Sequence, residues 1–216
     1  PLARLRTVIE TRSLFFATHA QLIAACDPNE GRNPRKYVEA SVRAEYRRIE
    51  MPLADDHLRR FLDNNLRGAA DMRNRYLISC WAADGHDARR MWKGREVAIR
   101  TTPSRLFYSL SVPPSYHGLV EYISYEPGER QWQAPYAALF RKHVDWEWER
   151  EYRLIVTRPG PEQHGWPNPV DLRRLISAVY LRSNASRALG NAVSSLLCRC
   201  HLAHVPILRA GLVEGQ

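Results

Sequence analysis

Trp146-Glu147-Trp148-Glu149-Arg150-Glu151-Tyr152-Arg153, continuing into Leu154-Ile155-Val156, is the stretch on which the reading of this chain turns. As a strand with period two it sets Glu147, Glu149, Glu151 and Arg153 on one face and Trp146, Trp148, Arg150 and Tyr152 on the other. The apolar, β-favouring Leu154-Ile155-Val156 then carries the strand into a core. Three carboxylates on one face repel one another unless positive charge stands among them. Arg153, Lys142, another basic side chain, a metal or a cationic substrate could supply it. The plainer alternative is an edge whose acids point into water while the tryptophans pack inward.

Outward from this stretch, helices and strands alternate without the regular rhythm of a doubly wound sheet. A short N-terminal helix precedes an apolar strand at Ser13–Ala17, and Asp27-Pro28-Asn29-Glu30-Gly31 reads as a turn. From Pro34 to about Met72 the spacing is helical, with Tyr37, Val38, Val42 and Tyr46 on one face and Leu58, Phe61, Leu62 and Leu66 on another. Pro52 separates the two helices, and Asp55-Asp56 opens the second. Tyr76–Trp81 is a buried strand, Asp87–Trp92 a short helix, Glu96–Arg100 a strand, and Pro103–Leu110 a helix opened by Thr102. Strands at Leu119–Tyr125 and Tyr152–Thr157 flank a helix around Pro135–Lys142. Pro159–Pro169 holds four prolines and two glycines and reads as a loop. A strand at Leu175–Leu181, an amphipathic helix at Ala185–Cys200 on Leu189, Val193, Leu196 and Leu197, and a strand at His204–Leu208 complete the chain. The expectation is one α+β domain over 1–216, with a mixed or mostly antiparallel sheet, helices packed against it, a helical insertion near 34–73 and the proline-rich loop near 159–169.

Composition narrows the class. The 216 residues, 44% of them hydrophobic, suffice for one substantial core. No stretch reaches the roughly 18 consecutive apolar residues of a membrane span. The N-terminal Pro1-Leu2-Ala3-Arg4-Leu5-Arg6 lacks the apolar core of a secretory signal, and its leading proline is what trimming of an initiator methionine leaves, so little is expected to be missing there. Four scattered cysteines do not make a disulfide framework, and a cytoplasmic, reduced protein is expected. The net charge of +9 suits a nucleic-acid partner, but the basic residues, all arginine except Lys36, Lys93 and Lys142, are spread along the chain without a block.

Several separated pieces share an order with a known family. They are Asp27–Gly31 after a strand, Ser79-Cys80-Trp81, Met91-Trp92, Val97-Ala98-Ile99-Arg100-Thr101-Thr102, Gly118-Leu119-Val120-Glu121-Tyr122-Ile123, and Glu149-Arg150-Glu151-Tyr152-Arg153 preceded by Lys142. In order and spacing they resemble the large bacterial family known as domain of unknown function 2971, over nearly the whole chain. The resemblance implies an α+β fold and no settled activity. It also marks a departure: the family's Met-Trp motif is usually followed by a tyrosine a few residues on, whereas Met91-Trp92-Lys93 runs directly into Gly94-Arg95-Glu96.

Three functional readings follow from the residues. In the first, the chain is an NAD-consuming or ADP-ribosyltransferase-like enzyme, an effector in conflict between bacteria and phage. Such enzymes hold NAD in a split sheet, with an early basic residue, a middle-strand serine and a late Glu-x-Glu pair; here Arg12 or His19, then Ser79, then Glu149 and Glu151 stand in that order. Glu151 would stabilise the oxocarbenium-like transition state and Glu149 orient ribose or acceptor, while Arg12, Ser79 and Arg153 hold the cofactor. In the second, a nucleic-acid-binding or metal-dependent nucleic-acid-cleaving protein uses Asp27, Glu30, Glu149 and Glu151 on Mg²⁺, with Lys142 or Arg153 facing phosphate. In the third, a non-catalytic binding module for another protein keeps Glu149, Glu151 and Arg153 as an ion-pair network with Lys142, and Trp92 and Trp148 pack the core. Cys198-x-Cys200-His201 lacks the second ligand pair of a zinc site. Ser79-Cys80 could be a nucleophile, but no sequence feature places a histidine beside it. Trp166 is a candidate lid or partner contact in its loop.

Overall fold

Leu154-Ile155-Val156 lies at the centre of a five-stranded sheet, with each of the three side chains at most 1% exposed. The computed structural model describes residues 2–25, 35–83, 90–124, 135–157 and 164–211. In chain order these form α1 (Leu2–Thr11), β1 (Ser13–Thr18), α2 (His19–Ala25), α3 (Arg35–Arg48), α4 (Asp55–Arg75), β2 (Tyr76–Ala82), β3 (Val97–Arg100), α5 (Pro103–Ser109), β4 (Tyr116–Leu119), β5 (Glu121–Ile123), a 3-10 helix (Pro135–Phe140) and β6 (Arg141–His143). A second 3-10 helix (Val144–Glu149), β7 (Glu151–Thr157), β8 (Trp166–Pro169), α6 (Leu172–Leu175), β9 (Ala178–Leu181), α7 (Arg187–Arg199) and β10 (Ile207–Arg209) follow.

The main sheet runs β4-β7-β2-β1-β8 with every neighbouring pair antiparallel. Its two faces are covered differently. Leu77, Leu154 and Val156, with Leu14 and Phe16 of β1, pack against Leu5 and Ile9 of α1 and Val193, Leu196 and Leu197 of α7 in the large core. Ile78 and Ile155, one residue along in each strand, point to the other face and meet Leu139 in a smaller one. Coverage on both sides explains why β7 reads as a continuous apolar run rather than an alternating one. A second sheet, β10-β9-β3, pairs β9 with β10 in parallel across the α7 crossover and with β3 antiparallel. The result is a single α+β arrangement with a mostly antiparallel sheet, as the sequence predicts.

The helices α3 and α4 pack on each other through Val38 and Val42 against Leu58 and Leu62, with Tyr46 and Phe61 alongside. The side chains of Tyr37 and Leu66 lie outside the described residues. Asp55 and Asp56 occupy the first turn of α4, where carboxylates complement the positive end of the helix dipole.

Several expectations need correction. Trp146–Arg150 does not extend β7: Val144–Glu149 is a 3-10 helix, and Arg150 ends it in the left-handed region at φ 42°. In a three-residue turn, side chains at i and i+3 eclipse, so Trp146 and Glu149 share a side instead of opposing each other. The proline-rich segment is not all loop, since Trp166–Pro169 forms β8 beside β1. Prolines are tolerated there because the carbonyl of Pro169 points away from β1, accepting from the Ser111 amide at 2.9 Å, so the N–H that proline lacks faces outward as well. Asn168 between the prolines is fully buried, and its carboxamide donates to the Val112 carbonyl at 2.8 Å and accepts from the Val112 amide at 3.2 Å.

Smaller shifts follow the same logic of tertiary pairing. The strand expected at Leu119–Tyr125 breaks at Val120 into β4 and β5, because the Val120 amide turns to the Glu151 carbonyl at 2.8 Å. The helix expected to reach Lys142 stops at Phe140, and Lys142 belongs to β6. Leu172–Leu175 is helical, so the late strand starts only at Ala178. The strand expected from His204 covers Ile207–Arg209. The Asp27–Gly31 turn, Asp87 to Arg89 of the short helix, Tyr125 and Pro159–Gln163 lie outside the described residues.

Candidate functional site

β5 and β6 run parallel, with Tyr122 beside Lys142, and deliver two basic side chains to the interior: Arg141 and Lys142 are both buried. Neighbours on a strand point to opposite sides. Arg141 donates to Glu121 at 3.1 Å, while Lys142 turns to the start of β7. There its ammonium bonds the Glu149 carboxylate closely and lies 3.4 Å from Glu151. On β7 itself, Glu151 and Arg153 share a face two residues apart. The Arg153 Nε donates to one Glu151 oxygen at 3.0 Å and a terminal nitrogen donates to the other at 2.9 Å. Its remaining terminal nitrogen donates to the Leu139 carbonyl at 2.5 Å, and the side chain is wholly buried. The backbone amide of Glu151 donates to the Tyr122 hydroxyl at 2.8 Å.

Burial by itself raises the pKa of the Glu151 carboxyl. The Arg153 guanidinium, the Lys142 ammonium and a hydrogen bond with Cys80 outweigh it and hold the group below its ordinary value. The Tyr122 hydroxyl moves the other way: burial and the adjacent carboxylates of Glu151 and Glu149 push it up. Two cations face two carboxylates here, and Glu151 has both oxygens occupied. Its partner Glu149 keeps a fifth of its side chain exposed.

Lys142 joins this cluster to a cleft. Its ammonium sits 5.1 Å from the centroid of the Trp146 ring as well as on Glu149. Trp146 and Trp148 then line an open cleft of about 450 Å³ with Arg90, Lys93 and Asp145. The turn carrying Arg90 and Lys93 is pinned by the buried Trp92 and closed by Gly94 in the left-handed region at φ 69°.

Of the residues expected to form one site, Glu149, Glu151 and Arg153 come together and Ser79 and Arg12 do not join them. Ser79 pairs with Leu154, whereas Ala82 pairs with Glu151 and Cys80 with Arg153, so the Ser79 side chain points to the opposite face of the sheet. Its hydroxyl accepts from the Trp81 indole at 3.1 Å. Arg12 lies exposed at the α1–β1 junction, in the left-handed region at φ 48°, and its carbonyl accepts from the Val170 amide. β1 and β2 lie between Arg12 and β7. His19 is buried at the start of α2. Arg153, expected to grip a cofactor, is sealed inside on Glu151 and Leu139. Trp148 does not pack the core as expected but lines the cleft, while Trp92 is buried. Trp166 is half-buried in β8 against Phe16, not an open lid.

Arg90 and Lys93 were given no role by the sequence, and Cys80, weighed there only as a nucleophile, and Tyr122, named only in a motif, both contact Glu151. Lys93 carried a signal, being one of three lysines among 32 basic residues. The position of Cys80 opposite Arg153 depends on strand register, and no local pattern discloses it. Asp27 and Glu30 lie outside the described residues. Among the described residues, no three His, Cys, Asp or Glu side chains gather to hold a metal, and no helix is long and apolar enough to cross a membrane. Cys198 and Cys200 are free thiols, Cys198 exposed on α7 and Cys200 at its C-terminal cap. No family model, curated protein or solved structure matches the chain.

Proposed function

We propose that the protein is an NAD-consuming, ADP-ribosyltransferase-like enzyme working at Glu149. The observation that carries this reading is the pairing of Glu149 and Glu151 on one buried ammonium, with only Glu149 reaching solvent beside the tryptophan-lined cleft. In such a reaction the ribose C1′–nicotinamide nitrogen bond breaks and its electron pair leaves with neutral nicotinamide. A water or acceptor nucleophile then forms the new bond to C1′. A fixed carboxylate facing the developing cation lowers that barrier in a site with little water. Glu151, saturated by Arg153, is here a positioning residue that fixes Lys142, and Lys142 in turn orients Glu149. Arg12 and Ser79 have no part in this version of the site.

The test is NAD⁺ loss by the purified protein, with and without bacterial lysate as acceptor, comparing the wild type with Glu149→Gln. Turnover lost in the variant, with an unchanged melting temperature, supports the reading. Absence of turnover by folded wild-type protein under both conditions rejects it.

A non-catalytic binding module is the second reading. One observation favours it: the four charged side chains satisfy one another, as buried structural ion pairs do.

A further inference from the structure

We infer that the cleft between Trp146, Trp148, Arg90 and Lys93 is a binding site for a free nucleoside phosphate, with the base on a tryptophan and the phosphate on Arg90 and Lys93. This inference concerns binding alone and does not require the turnover proposed at Glu149.

The cleft presents two kinds of surface side by side. One is aromatic. Trp146 and Trp148 come from a single 3-10 helix, and their ring centroids are 6.2 Å apart with planes inclined at 32°. A base inserted between stacked rings needs about twice the 3.4 Å stacking distance and parallel planes, so neither the spacing nor the tilt admits a sandwich. Stacking on the open face of one ring is the geometry left. The Trp148 face is held by the Arg90 guanidinium at 5.6 Å, a flat cation that a base can join or replace.

The second surface carries two exposed cations, Arg90 and Lys93. Among the described residues, neither Arg90 nor Lys93 has a carboxylate partner, a state they share with Arg95, Arg100 and Arg105. Asp145, the one acid among the residues lining the cleft, lies 2.9 Å from the His143 imidazole, which offsets its charge only when protonated. An anion entering the cleft meets two exposed cations, Lys93 and the Arg90 that also lies on Trp148, with the Asp145 carboxylate beside them. A volume of about 450 Å³ falls within the usual range for one small ligand. A strand of nucleic acid would need a charged groove running on beyond a single base-sized site.

Isothermal titration calorimetry on the full chain tests the assignment, using ADP, adenosine, inorganic phosphate and a single-stranded oligonucleotide as probes. ADP is expected to bind saturably, with adenosine and phosphate each roughly tenfold weaker, since each keeps only one half of the recognition. Lys93→Glu should weaken ADP by about tenfold and leave adenosine unchanged, because only the phosphate contact is lost. Trp148→Ala should weaken ADP and adenosine alike by about tenfold, as loss of base stacking requires. The melting temperature of each variant shows that it is folded; if Trp148→Ala is not, Trp148→Leu replaces it.

No saturable heat with ADP on folded wild-type protein overturns the inference. So does unchanged ADP affinity in both variants, or binding of the oligonucleotide without binding of ADP. ADP binding without NAD⁺ loss keeps the cleft and rejects the reaction proposed at Glu149. NAD⁺ loss without ADP binding does the reverse.

Discussion

Arg153 grips both carboxylate oxygens of Glu151, its neighbour two residues earlier on the same face of β7, and neither residue is more than 5% exposed. A fork-on-fork pair within one strand is stiff, because the backbone already sets the spacing and little rotamer freedom remains to be lost. It anchors the end of β7 at the point where the 3-10 helix joins it. Lys142 and the cleft are positioned from there.

Removing one member leaves the other charged and buried. Arg153→Met is expected to lower the unfolding free energy by roughly 3–5 kcal/mol. Urea denaturation of Arg153→Met, Glu151→Gln and the double variant checks this. The double variant should lose clearly less than the two single losses added, since the second change removes a charge already without its partner. Strict additivity would mean that the pair is not coupled.

The same pair makes stability depend on pH in the acid range. Glu151 titrates below its ordinary value in the folded chain, so between the folded and unfolded pKa values the unfolded chain binds more protons. Its contribution is fully present above about pH 4.3, the ordinary glutamate value, and is lost as pH falls through the lower folded value. Urea midpoints followed downward from pH 7 should drop more steeply for the wild type than for Glu151→Gln. Parallel curves would rule out Glu151 as a source of the acid sensitivity.

Gly165 precedes β8 at φ 70°, and a Cβ there would stand 2.7 Å from the Phe16 carbonyl oxygen and also meet the Phe15 ring. Gly165→Ala combines backbone strain with a clash against main chain, and a loss above about 2 kcal/mol is expected. Phe15→Ala in the same chain should not restore stability, because the Phe16 carbonyl cannot move without breaking β1. A full rescue in thermal melts would show that the ring alone was the obstacle.

Asn168 is the fourth test. Its buried carboxamide makes two hydrogen bonds to the backbone of Val112, and Asn168→Ala is expected to cost about 1–3 kcal/mol. Asn168→Asp keeps the acceptor and loses the donor, so at neutral pH it should be at least as damaging as alanine. Chemical denaturation of the two variants side by side decides it.

Much of the fold is written locally. The apolar run Leu154-Ile155-Val156 announces a strand covered on both faces, the spacing of Val38 and Val42 against Leu58 and Leu62 announces a helical pair, and Thr102 before Pro103 marks a helix start whose hydroxyl does accept from the Arg105 amide at 3.2 Å. The candidate site was half legible. A row of carboxylates demanded positive charge among them, and the chain offered Lys142 and Arg153 nearby. The Trp-Glu-Trp-Glu alternation was misleading because period two over four residues does not distinguish a strand from a tight helical turn.

The sequence by itself determined the α+β class, most of the elements and the need for cations beside Glu149 and Glu151, because hydrophobic period, capping and like-charge repulsion all act over a few residues. Only the tertiary structure decided the rest. Strand register turned Ser79 away from Glu151, since each step along a strand changes the face. Pairing with β1 drew Trp166–Pro169 out of an apparent loop into an edge strand. And Arg90 and Lys93, more than fifty residues before Trp146 and Trp148, meet them at one cleft because the turn anchored by Trp92 packs there, a contact between distant segments that no local pattern in the chain encodes.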